Sequence, residues 1–253
     1  MKVFIISIEE ENSPRLNNFL SQPFFQSLTQ QYKKIGIKGA ELSAKFYFEK
    51  AVKGREQALT PGELGCTLSH LQALEEFLES DDSYAFILED DAILPKDLTN
   101  DMLQQELSRI KLPPKTLLSL GGIQMKESRK VRGKFVQDQF LGKKVLEVIP
   151  DFYHRVNYAM AYIVDREMAA LLLVYHQPLR RADDWSYLFD FDHQVHLMMT
   201  YLVDHPVIQK GESNQRLSAI EAERVDNSPL LKSKYGTGLR KNFSKLFSNL
   251  YFN

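Results

Sequence analysis

The sequence predicts an α/β fold: a mixed, mostly parallel sheet with helices on both faces. Three observations predict it. The chain opens on Val3–Ile8, a continuous β-rich run of the kind found in a strand covered on both faces, and passes directly into Ser13-Pro14-Arg15, an N-cap followed by proline at the first helical position. Apolar runs of strand length then alternate with helix-period segments along the chain. With 253 residues, 43% of them hydrophobic, the chain is long enough to bury a substantial core.

Taken in order, a second strand is expected near Ile35–Leu42, although Gly36 and Gly39 weaken it. Thr60-Pro61-Gly62-Glu63 has the spacing of a capping box. Beyond it Leu64, Leu68, Leu71, Leu74 and Leu78 hold one helical face, and Glu75, Glu76 and Glu79 hold the polar one. Tyr84–Leu88, Thr116–Leu120, Val145–Ile149 and Ala159–Val164 read as further strands, the last running into a helix over Arg166–Tyr175. The organisation expected is one domain over residues 1–225 and a basic amphipathic tail over 226–253.

The 32 basic and 33 acidic residues balance, so no whole-chain basic field is available for nucleic acid. The single Cys66 excludes an internal disulfide framework and suits a reducing compartment; flanked by Gly65 and Thr67, it reads as a small packing residue rather than a nucleophile. The opening apolar run is too short for a secretory h-region, and no other run approaches ~18 uninterrupted apolar residues, so a cytoplasmic protein is expected. No P-loop, Rossmann glycine fingerprint, Ser-His-Asp order or paired CxxC is present.

The chemistry concentrates at FILEDDAIL, Phe86–Leu94, where a strand ends in Glu89, Asp90 and Asp91. Three consecutive carboxylates arise by chance in roughly one of two such chains, and Glu9-Glu10-Glu11 is a second instance. Position raises the value of this one. Ligands of open α/β sheets bind outside the carboxyl ends of strands, and crowded carboxylates there repel unless a cation intervenes. Hard ions such as Mn²⁺ or Mg²⁺ prefer such oxygen donors and take substrate phosphates as further ligands. Asp91 would hold the metal, with Glu89 beside it, and Glu89 or Asp90 would face the ribose of a nucleotide sugar or a bound water. His193 and His196, three apart, suit one helical face and a third ligand.

The motifs Pro61-Gly62-Glu63-Leu64-Gly65-Cys66, Leu68-Ser69-His70 and Leu88-Glu89-Asp90-Asp91-Ala92 together resemble family 25 glycosyltransferases of lipooligosaccharide biosynthesis. Val3–Ile8, Leu120-Gly121-Gly122, Ala161–Val164, Ala182–Trp185 and Pro206–Ile220 resemble later elements of the same family. One departure stands out: Tyr158-Ala159-Met160 replaces the Gly-Thr-His usual before Ala-Tyr. The resemblance implies a GT-A-like domain that transfers galactose or glucose from a UDP-sugar, with inversion, to a lipid-linked oligosaccharide acceptor. It implies a nucleotide site at Ser7, Arg15, Glu89, Asp90, Gly121 and Gly122, acceptor contacts at Glu63, Ser69 and His70, and a general base at Asp183 with Asp184 in reserve. Asp183 as the N-cap of a helix is the structural alternative. Two other functions fit the pattern less closely: metal-dependent nucleotidyl or phosphoryl transfer, which lacks phosphate-gripping loops here, and a glycan-binding scaffold without turnover. Over Lys232–Asn253, Leu239, Phe243, Leu246, Phe247, Leu250 and Tyr251 share one helical face beside lysines and arginine, the pattern either of a segment lying on an anionic inner membrane or of a terminal helix docked on the domain.

Overall fold

A computed structural model describes residues 1–28, 32–206, 235–236 and 238–252. Among these residues nine strands form one sheet: β1 (Lys2–Ile6), β2 (Lys33–Ile35), β3 (Tyr84–Glu89), β4 (Thr116–Ser119), β5 (Arg132–Phe140), β6 (Lys143–Val148), β7 (Ala161–Asp165), β8 (His196–Met199) and β9 (Asn249–Leu250). Their order is β2-β1-β3-β7-β4-β8-β6-β5-β9. β1 pairs in parallel with β2 and β3, and β4 with β8; the other five pairings are antiparallel. Because β7 is antiparallel to both β3 and β4, those two run in the same sense, and β1, β2, β3, β4, β5 and β8 all point one way. Their carboxyl ends therefore share one edge of the sheet, where an open α/β sheet binds ligands.

Alternation along each strand builds two cores. Phe4, Ile6, Ala85, Ile87, Tyr162 and Val164 face α4 (Pro61–Leu78) and α6 (Arg166–Tyr175). Val3, Ile5, Phe86, Leu88, Ala161 and Ile163 face α1 (Pro14–Leu20), α2 (Pro23–Gln26) and α5 (Asn100–Ile110) on the other side. Both capping expectations hold. Ser13 accepts from Leu16 N–H at the start of α1, and Thr60 and Glu63 form the reciprocal capping box of α4. The helix over Arg166–Tyr175 has the expected bounds, capped by Asp165.

Three expectations need correction. The second strand is only Lys33–Ile35; beyond it the backbone passes so close to the Ser7 and Pro61 carbonyls, at Gly36 and Gly39, that no side chain fits, and Gly39–Glu41 turns as a 3₁₀ segment. His193 and His196 share no helix: His196 begins β8 and its ring pairs with Glu147 at 2.7 Å, while His193 packs on Phe189. The helical face proposed for the tail ends with its helix, α8 (Gly238–Leu246), after α3 (Ala44–Tyr47) and α7 (Leu188–Phe191) earlier in the chain. Leu250 then joins the edge strand β9 on β5, and Tyr251 is buried with its hydroxyl accepting from Tyr201 N–H. The start of the tail and residues 207–220 of the closing motif lie outside the described residues.

One buried group sets a pH response. His176, after α6, is 3% exposed, and burial, with the Arg180 and His70 charges behind it, pulls its pKa down to about 3. The unfolded chain gains a proton near pH 6.5 that the folded chain refuses. Stability from this residue is therefore complete above pH 6.5 and falls with pH by up to about 1.4 kcal/mol per unit toward pH 3. Urea unfolding at pH 7 and pH 5 should show a smaller loss for His176→Gln than for the parent; equal losses would contradict the assignment.

Candidate active site at the carboxyl edge of the sheet

The register of β1 on β3 sets the site. Ile6 lies opposite Glu89, so the residues that follow, Ser7 and Asp90, meet just past the strand ends. Ser7 Oγ donates to Asp90 Oδ2 at 2.5 Å. Arg15, in the first turn of α1, reaches the other oxygen with Nε at 2.9 Å and a terminal nitrogen at 2.5 Å. Both oxygens of Asp90 are thus engaged by this chain itself. Burial pushes the Asp90 carboxyl above its usual range in spite of these partners.

Asp91 has a different environment. Its Oδ2 lies 3.3 Å from His205 Nε2 and 3.6 Å from Arg15. Its Oδ1 is buried without a hydrogen-bond partner. Burial raises the Asp91 carboxyl, but the His205 hydrogen bond and the His205 and Arg15 charges outweigh it and hold the group low and ionised. His205 in turn has Nδ1 2.9 Å from the Pro206 carbonyl. Both ring nitrogens face acceptors, so the imidazolium is favoured; burial lowers its pKa, yet Asp91 and Pro206 carry it above normal. No local motif marks His205. It arrives because β8 is parallel to β4 and the segment after β8 pairs with the one after β3, Ile93 and Asp204 exchanging backbone hydrogen bonds.

Glu89 turns the opposite way. As the last residue of β3 it follows the alternation of Ala85 and Ile87 and faces α4, where Oε1 lies 3.2 Å from His70 Nε2 and 4.0 Å from Cys66 Sγ. The acidic triplet is therefore divided, with Asp90 and Asp91 at the Arg15–His205 side and Glu89 at the α4 side. His70 is buried and joins Glu89, whereas Ser69 is 1% exposed and braces the chain, its hydroxyl donating to the Gly65 carbonyl and accepting from Ile37 N–H. The Glu63 carboxylate accepts from Thr60 N–H in the capping box. Gly121 and Gly122 serve the backbone. A side chain at Gly121 would meet the Val203 carbonyl, and Gly122 sits at φ +85° against Asn157 and Tyr158.

Asp183 and Asp184 lie in a turn, and the next helix, α7, starts only at Leu188, so Asp183 caps no helix. Asp183 Oδ2 accepts from Tyr158 N–H at 3.2 Å. Tyr158 itself holds φ +75°, an uncommon conformation for a non-glycine residue, and its ring lies 5.9 Å from that of His205. Asp183 is in this way linked to the Asp91 side. Asp184 lines a cavity of about 860 Å³ together with Arg55, Leu68, His176 and Arg180.

A cation and a nucleotide diphosphate both find matching groups here. The orphaned Asp91 oxygen suits a hard metal ion, and Arg15 offers a planar fork to phosphate. No helix among the described residues is long and apolar enough to cross a membrane. A search among curated proteins finds no match. The model of glycosyltransferase family 25, described as LPS biosynthesis protein, matches residues 1–187, which include the capped α4 helix, the acidic strand end and the Asp183–Asp184 turn. The chain belongs to glycosyltransferase family 25, whose sugar-donor chemistry fits a carboxylate and guanidinium site at the carboxyl edge of the sheet.

Proposed function

We propose that this glycosyltransferase moves a hexose, galactose or glucose, from a UDP-sugar to a lipooligosaccharide acceptor with inversion at the anomeric carbon. The observation that carries the reading is the buried, unpartnered Asp91 Oδ1 beside Arg15 at the ends of parallel strands. Asp91 would hold a divalent ion, Mn²⁺ or Mg²⁺, which when bound neutralises charge on the leaving diphosphate. Arg15 exchanges part of its hold on Asp90 and Asp91 for the diphosphate, and Ser7 keeps Asp90 in place as it does so.

Inversion needs a base on the acceptor face of the sugar to take the hydroxyl proton. Asp183 fills that role in this reading, because its link through Tyr158 ties it to the donor side, while Asp184 faces the separate cavity. Asp183→Asn should lower kcat for transfer by ~10²–10⁴, the range for one general base, with donor affinity retained. Transfer assays with analysis of the product anomer test both points. Normal kcat in Asp183→Asn moves the role elsewhere, and a retained anomeric configuration contradicts inversion.

The acceptor implies a membrane-proximal enzyme on the cytoplasmic side. Support comes from α8, where Leu239, Phe243 and Leu246, with Phe247 just beyond, are 79%, 63%, 75% and 75% exposed beside Arg240, Lys241 and Lys245. An exposed apolar strip flanked by cations suits an anionic bilayer surface. Arg132 anchors this segment, donating to the Lys245 and Ser248 carbonyls, so the strip is presented by a fixed element. Phe243→Glu combined with Phe247→Glu should abolish co-sedimentation with vesicles containing anionic lipid. Unchanged binding would remove the membrane role of α8.

A further inference from the structure

Cys66, His70 and Glu89 form a constellation that donor chemistry does not use. The spacing of four places Cys66 and His70 one turn apart on the same face of α4, and the end of β3 brings Glu89 against that face. The Cys66 sulfur, a His70 ring nitrogen and a Glu89 carboxylate oxygen all lie within 4.8 Å of one another; His70 Nε2 to Glu89 Oε1 is 3.2 Å and Cys66 Sγ to the same oxygen is 4.0 Å. Tetrahedral zinc, with bonds of about 2.0–2.3 Å to nitrogen, oxygen and sulfur, requires ligand separations of about 3.3–3.7 Å. The observed separations bracket that range, so an ion would need only small side-chain adjustments.

A second observation points the same way. His70 Nδ1 lies 2.9 Å from the hydroxyl of Tyr162, which is fully buried on β7. Metal-binding histidines donate their other N–H to an acceptor that fixes the ring; the Tyr162 oxygen can accept from Nδ1, which leaves Nε2 facing Glu89 for the metal. Access is also provided: Cys66 is partly exposed and the Glu89 side chain is 27% exposed, leaving an open side for the ion and a water as fourth ligand.

We propose that Cys66, His70 and Glu89 bind a thiophilic divalent cation of the Zn²⁺ class, at a site distinct from the oxygen donor at Asp91. Binding replaces the thiol S–H by an S–metal bond and releases that proton to solvent; the His70 proton that faces Glu89 without metal passes to Nδ1, where the Tyr162 oxygen accepts it. The two sites divide by ligand chemistry: sulfur and imidazole favour Zn²⁺, and a carboxylate with phosphate favours Mn²⁺ or Mg²⁺. Occupancy fixes Glu89 against α4 and makes the enzyme's donor edge responsive to zinc.

The test uses Co²⁺ as a spectroscopic stand-in, added to full-length protein freed of metal. Because Cys66 is the sole cysteine, a thiolate-to-cobalt charge-transfer band can come from no other residue. The band should form at one ion per chain and be displaced by Zn²⁺. Its midpoint should weaken 10–100-fold in Tyr162→Phe, the cost of losing such a supporting hydrogen bond, and at least as much in Glu89→Gln. Asp91→Asn should leave the midpoint unchanged, which separates this site from the donor cation. Circular dichroism checks that each variant is folded. Absence of the band in excess Co²⁺, or an unchanged midpoint in folded Tyr162→Phe or folded Glu89→Gln, would overturn the proposal, as would loss of the band in folded Asp91→Asn.

Discussion

Asp91→Asn is expected to lower kcat for sugar transfer by ~10²–10³, the scale for losing one stabiliser of a developing charge. An amide keeps the shape of the side chain but removes the charge that would hold a cation, and its NH₂ group can point at the guanidinium of Arg15 or the imidazolium of His205. The effect should fall on activity more than on folding. Asp91 is 12% exposed in its side chain, and burial offsets part of what its His205 and Arg15 contacts contribute, which limits the stability lost with the charge. Steady-state assays paired with urea unfolding distinguish the two. Near-normal turnover with metal still bound would contradict the role given to Asp91.

Arg15→Ala is the substitution expected to cost the most stability. It removes the fork that engages Asp90 Oδ1 and leaves an 8% exposed carboxylate with Ser7 as its remaining side-chain partner. Breaking a buried pair from one side costs about 3–5 kcal/mol; because the Arg15 side chain is 22% exposed, the lower end, about 3 kcal/mol, is expected. Asp90→Asn in the same background should recover most of that loss, since the uncompensated charge goes with it. Recovery of stability should not restore transfer, because the guanidinium proposed to receive the diphosphate is absent. A single-variant loss below ~1 kcal/mol, measured by urea unfolding, would show that the pair is not a strut of the site.

The elements legible in the sequence are those with strong local signals. Ser13-Pro14 and the Thr60–Glu63 box each state a helix start in side-chain chemistry, and the apolar runs of β1, β3 and β4 are continuous because both sheet faces are covered. What stayed hidden depends on pairing between distant segments. β8 is four residues long, and only its parallel pairing with β4 reveals that the chain beyond it returns to Asp91, which is why His205 carried no local signal. The triplet showed three carboxylates but not their directions: the strand alternation and the turn after Glu89 send one to α4 and two to Arg15. The tail shows the same limit. Its helical period is real through Leu246, but an edge-strand pairing with β5 captures Leu250, and packing captures Tyr251.

In the proposed reaction Asp91 and Arg15 act together on a nucleotide sugar. The most direct test is calorimetric titration of the protein with UDP-galactose, UDP-glucose and UDP-N-acetylglucosamine, each with Mn²⁺ and with chelator. UDP-galactose or UDP-glucose should bind with Mn²⁺ and lose that binding in chelator. Binding of a donor at equal affinity in chelator would contradict the metal role of Asp91, and no binding of any of the three would contradict the UDP-sugar donor itself.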